Sequence, residues 1–163
     1  MFDVEGEAHL LPGERERNFR LYAAEDSYFL KVAPAGTDKP SLEMQAAALA
    51  HLAAIAPELP VPRVIRSGKT AVVMLDDGLL VFMTSWLPGV LMLETKKTPG
   101  LQREVAALAA YVGKGLRGFF HPSAGRRLIW DLSRAGELQS LLAHTTHQDR
   151  AKLAGAALGS VLN

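Results

Sequence analysis

The sequence predicts an α+β fold: a small antiparallel sheet with one helix packed on it, followed by further helices. Three observations carry this expectation. Short aliphatic and aromatic runs bounded by turn residues dominate the first half of the chain. One stretch of three-and-four apolar spacing interrupts them, and beyond residue 100 the spacing is helical. The length of 163 residues suits about one domain, and 48% apolar with 21% charged residues is the profile of an ordinary globular chain.

The elements follow in order. Leu10-Leu11 reads as a short strand ending in the turn Pro12-Gly13, and Phe19 to Ala23 and Tyr28 to Ala33 as two more strands. Ala24-Glu25-Asp26-Ser27 is short enough to be a hairpin connection. After the breaker-rich loop 35–40, Leu42, Gln45, Leu49, Leu52 and Ile55 recur at helical spacing, and Pro57 closes that helix. Pro60 and Pro62 hold Val61 to Ile65 extended. The runs Thr70–Leu75 and Leu79–Trp86 flank Asp76-Asp77-Gly78, a strong hairpin signal. A long helix is expected from Leu101 towards Phe120, with Val105, Leu108, Val112, Leu116 and Phe119 on one stripe. Ser133 is the expected N-cap of a helix towards Ala143, and a last helix covers about Gln148 to Leu162.

Charge and composition exclude several classes of function. Eighteen basic and 17 acidic residues leave a net charge of +1, which argues against a general nucleic-acid binder. The lack of cysteine removes disulfides, thiolate metal sites and cysteine nucleophiles. Met1-Phe2-Asp3-Val4-Glu5 has neither the basic region nor the apolar core of a signal peptide, and no apolar run approaches the ~20 residues of a membrane helix. A cytoplasmic protein with no membrane partner is expected. His9, His51, His121 and His144 show no metal-ligand spacing, and Ser85 has no G-x-S-x-G context.

The residues with chemical promise lie in the first half. The turn from Gly13 to Asn18 can aim backbone N–H groups at phosphate oxygens, with Asn18 as a side-chain donor and Arg15, Arg17 and Arg20 adding charge. Taken alone, with a single glycine, its plainer reading is a solvated charged hairpin. In Tyr28-Phe29-Leu30-Lys31-Val32, alternation puts Phe29 and Lys31 on one face. Lys31 is then either a cation set for a phosphate or a lysine snorkelling from an edge strand. Arg126, Arg127, Trp130 and Asp131 either face a substrate cleft or form a loop anchored by Trp130 and Leu132, the latter being the plainer reading.

Taken in order, Leu11-Pro12-Gly13-Glu14-Arg15-Glu16-Arg17-Asn18-Phe19, Tyr28-Phe29-Leu30-Lys31-Val32, Leu59-Pro60-Val61-Pro62-Arg63-Val64, Trp86-Leu87-Pro88-Gly89 and Phe120-His121-Pro122 with Trp130-Asp131-Leu132 resemble the aminoglycoside phosphotransferase and choline kinase family, in particular its hydroxylysine-kinase-like branch. The resemblance implies a protein-kinase-like small lobe over residues 1–89 and the helical start of a large lobe over 90–163. It implies ATP with magnesium in the intact protein, a small-molecule acceptor hydroxyl, and contact with the remainder of its own polypeptide. Gly13 and Asn18 would cover the nucleotide phosphates, and Lys31 would reach the α- and β-phosphates. Thr84, Ser85, Trp86 and Leu87 would form the hinge that bonds the adenine edge, with Phe29 and Met83 as apolar walls. Gln45 stands where the family's mechanism places the glutamate that positions the lysine.

The chain departs from the family pattern further on. His147-Gln148-Asp149 is its only H-x-D, and Ala154 stands where H-x-D-x-x-x-x-N requires asparagine. The resemblance therefore implies a fragment without catalytic residues or metal ligands, inactive by itself, whose catalytic loop would follow Asn163. The alternative is a non-catalytic binding or regulatory module of a larger protein, such as one fused to a class III aminotransferase, where pyridoxal phosphate would belong to the fused domain.

Overall fold

The computed structural model describes residues 2–126 and 131–162. Arg127 and Trp130, two of the four residues of the polar–aromatic group, lie outside the described residues. The chain divides into two compact units, one up to Ala124 and one from Gly125 onward.

The first unit is a six-stranded sheet with two helices. Strands β1 (Glu7–Leu11), β2 (Arg17–Tyr22) and β3 (Ser27–Ala33) form a meander, and β3 pairs with β6 (Leu80–Ser85). The far edge of β6 is shared by β4 (Val64–Ile65), beside Thr84 and Met83, and β5 (Val72–Met74), beside Phe82 to Leu80. Every pairing is antiparallel. The β2–β3 hairpin is closed by Ala23 N–H donating to Asp26 O (2.9 Å), so the turn runs over 23–26, one residue earlier than the predicted connection 24–27.

The register sorts the side chains. Asn18 lies opposite Lys31, and Lys31 opposite Phe82; Arg20 lies opposite Phe29, and Phe29 opposite Thr84. Directly opposed residues share a face, so these six belong to one side of the sheet. Phe19, Leu30 and Met83 belong to the other. The helix α1 (Lys39–Ile55) covers the far end of the Lys31 face, where Leu42 and Ala46 pack with Ala33, Val72, Leu80 and Phe82. Asp38 caps it by accepting the N–H of Ser41 at 3.2 Å, and Pro40 suits the first turn because its missing N–H needs no partner.

The helix α2 (Pro99–Gly115) is capped by Thr98, whose Oγ1 accepts the Leu101 N–H at 3.2 Å. It ends before the predicted Phe120, because Gly118, at φ 81°, turns the chain out of helical geometry. Its predicted stripe is not a buried one: Val105 and Leu108 are 39% and 36% exposed, and α2 has no buried residue. Its end is tied to α1 by His51 Nε2, which donates to Gly115 O at 3.1 Å.

In the second unit, Leu132–His144 winds as a 3₁₀ helix and α3 spans Gln148–Leu162. The N-cap is Asp131, not Ser133. Ser133 donates its N–H (3.0 Å) and its hydroxyl (2.7 Å) to Asp131 Oδ1, and these bonds hold the Asp131 carboxyl below the usual carboxylate range. Leu132 is 74% exposed and so anchors nothing. No helix among the described residues is long and apolar enough to cross a membrane.

Candidate functional site

Five of the ten residues predicted to act come together at the end of the sheet that α1 leaves open. Phe29, Thr84, Ser85, Trp86 and Leu87 line one apolar cavity of about 450 Å³, completed by Pro62 and the segment from Pro88 to Leu91. Thr84 is buried, and its hydroxyl donates to Ser85 O at 3.2 Å. Ser85 is fixed from behind: Arg63 N–H donates to its Oγ at 2.9 Å, and its own N–H donates to Arg63 O at 2.8 Å. Trp86 N–H donates to Ser27 O at 3.0 Å. Among the described residues the backbone N–H groups of Leu87, Gly89, Val90 and Leu91 make no hydrogen bond, so this side of the cavity lining carries unpaired backbone donors, Leu87 being the one next to β6.

The turn before β2 lies along the Lys31 face. Gly13 is required there by close approach, since a Cβ would stand 2.4 Å from Glu16 O and 2.8 Å from Asn18 Nδ2. Asn18 Nδ2 donates to Pro12 O at 3.4 Å, which ties the turn together, and its Oδ1 is buried without a partner. Lys31 is 19% exposed, and its Nζ lies 3.8 Å from Glu16 Oε1.

Two predicted residues are not brought to this site in the expected way. Met83, at 1% exposure, sits on the opposite face beside Leu30 and Ile65, so it cannot wall a cavity together with Phe29. Thr84 takes that position, because strand residues alternate between faces. Gln45, on α1, makes no hydrogen bond to Lys31; the carboxylate beside Lys31 comes from the turn, not the helix.

Two residues gain a place that sequence reasoning did not give them. Glu16 lies in the bend just before β2, outside the β2–β3 register, and its carboxylate reaches across to Lys31 at 3.8 Å. Arg20, predicted only as a source of charge, has its guanidinium 4.3 Å from the Tyr22 ring centre and 4.4 Å from that of Trp86. This stack clamps β2 to Trp86, just past the end of β6, with Arg20 Nη2 donating to Ser27 Oγ at 3.3 Å. Among the described residues no three His, Asp or Glu side chains gather where they would hold a metal ion. The His147-Gln148-Asp149 triplet lies at the start of α3, with Asp149 in its first turn.

Two solved structures share this fold. One is described as the microcompartment-associated aminopropanol kinase, with a TM-score of 0.62 and 17% identity over 91% of this chain and 56% of that one. The other is a spectinomycin phosphotransferase in complex with ADP and spectinomycin, with a TM-score of 0.52 and 12% identity over 86% of this chain and 43% of that one. The chain thus spans about half the length of the structures it matches. No curated protein matches it. The family model described as the Phosphotransferase enzyme family matches residues 8–161, and the chain, alike in sequence pattern and in fold, belongs to that family.

Proposed function

We propose that this chain is the nucleotide-binding part of an ATP-dependent phosphotransferase that acts on a hydroxyl group of a small molecule. The observation that carries this reading is the shared face of Lys31, Phe29 and Thr84, continuous with the hinge cavity. A purine base fits between Phe29 and the hinge, where Leu87 N–H serves as donor to its edge. The triphosphate then runs under the turn from Gly13 to Asn18 towards Lys31. A partly enclosed lysine favours an anionic partner, because an unpaired buried ammonium is costly. Arg20 and Trp86 close the outer side of the base site.

In this reading residues 1–89 form the small lobe, and 90–163 open a helical lobe that carries the acceptor site in the intact protein. Magnesium would accompany ATP there and supply charge neutralisation on the phosphates. The described residues offer no cluster to hold it, so the role assigned to this chain is binding and orientation of the nucleotide. The aminopropanol kinase and spectinomycin phosphotransferase similarities support transfer to a small-molecule acceptor without identifying which.

An amide-resolved NMR titration tests the reading. ATP is expected to shift the Leu87 amide and the amides of the Gly13–Asn18 turn together. Adenosine is expected to shift Leu87 and leave the turn unchanged. Shifts confined to other elements, or none at saturating ATP, would contradict a nucleotide site here.

A further inference from the structure

Lys31 has a counter-ion already, and it comes from an unexpected place. The helix beside the sheet supplies none: Gln45 carries no charge, and Glu43 pairs with Lys39 at 3.6 Å. The carboxylate at 3.8 Å is Glu16, from the turn that leads into β2. Both side chains are partly enclosed, at 19% exposure for Lys31 and 31% for Glu16, which reduces solvent screening between them. The turn is also held shut by the Asn18 to Pro12 hydrogen bond and by the close approach at Gly13.

We propose that Glu16 latches this turn onto Lys31 in the nucleotide-free protein, and that a polyphosphate must displace it. The proposal rests on the nucleotide reading above and adds a device within that site. A carboxylate and a triphosphate are both negative, so they repel each other at a single ammonium. Entry of the phosphates therefore releases Glu16 and frees the turn to settle over the new anion. Adenosine has no phosphate and does not compete. Glu16 is thus a positioning residue: it acts through Lys31 and lowers triphosphate affinity while leaving the base site alone.

The test pairs two measurements on the full chain and its Glu16→Gln variant. Hydrogen exchange over residues 13–18 without nucleotide reads the latch, and titrations with ATP and with adenosine read the competition. Glu16→Gln is expected to speed exchange of the turn and to tighten ATP binding about two- to fivefold, the range for a partly exposed ion pair. Adenosine binding should stay unchanged, and the gain for ATP should shrink as salt is raised. Unchanged exchange, or ATP binding that stays the same or weakens while adenosine still binds, overturns the latch alone. Failure of the unsubstituted chain to bind either ATP or adenosine overturns the nucleotide reading, and the displacement with it.

Discussion

Gly13 has no room for a side chain, because a Cβ would meet Glu16 O at 2.4 Å and Asn18 Nδ2 at 2.8 Å. Gly13→Ala must therefore open the turn, and overpacking of this kind costs about 1–3 kcal/mol. The expected outcome is a lower melting temperature together with weaker ATP binding, measured by thermal melts and titration. A variant that melts and binds like the unsubstituted chain would show that the turn relaxes freely. Single residues also show where sequence reading stops. Phe29 and Lys31 were legible as neighbours on one face, since alternation is local to β3. Met83 was not, because Leu80 to Thr84 are all buried and a strand buried on both faces has no alternation to read. Glu16 was hidden for a different reason: it sits in the bend before β2, and how that bend folds back onto β3 is a contact that no short-range pattern records.

The elements divide between those held by packing and those held by their ends. In α1, Leu42 and Ala46 are buried against Ala33, Val72, Leu80 and Phe82, so this helix is anchored by its core face. Leu42→Ala is expected to cost about 2–5 kcal/mol in denaturant unfolding, the range for emptying a core leucine site. In α2 no residue is buried, so its cap weighs more. Thr98→Ala is expected to cost about 1 kcal/mol, and circular dichroism should show lost helicity with the sheet intact. An unchanged helical signal would mean that the cap is dispensable. Both helices were legible from spacing, but the stop of α2 was not, because the stripe continues through Leu116 and Phe119 while Gly118 turns the backbone away. The 3₁₀ winding of Leu132–His144 had no readable signal, since its apolar spacing suits either helix.

On the scale of the whole molecule, the order strand, strand, strand, helix, strands, helices was present in the sequence, and the sheet realises it in a single antiparallel layer. What the sequence left unassigned was the direction of charge within the cleft. The described residues place one enclosed lysine there, with a turn carboxylate beside it, and no acidic cluster. Magnesium is therefore predicted to change the ATP affinity of this chain little. A calorimetric titration with and without the metal checks this, and a strong gain with magnesium would contradict it.

The central claim is that Lys31 serves the nucleotide phosphates rather than the stability of the sheet. Calorimetric titration of ATP into the full chain and into Lys31→Ala, with thermal melts of both, tests it most directly. A hydrogen bond to a charged group is worth about 1.5–3 kcal/mol, so the account predicts ATP affinity lower by roughly ten- to a hundredfold and a melting temperature nearly unchanged. Equal ATP affinity in the two proteins, with a lowered melting temperature for Lys31→Ala, would contradict it.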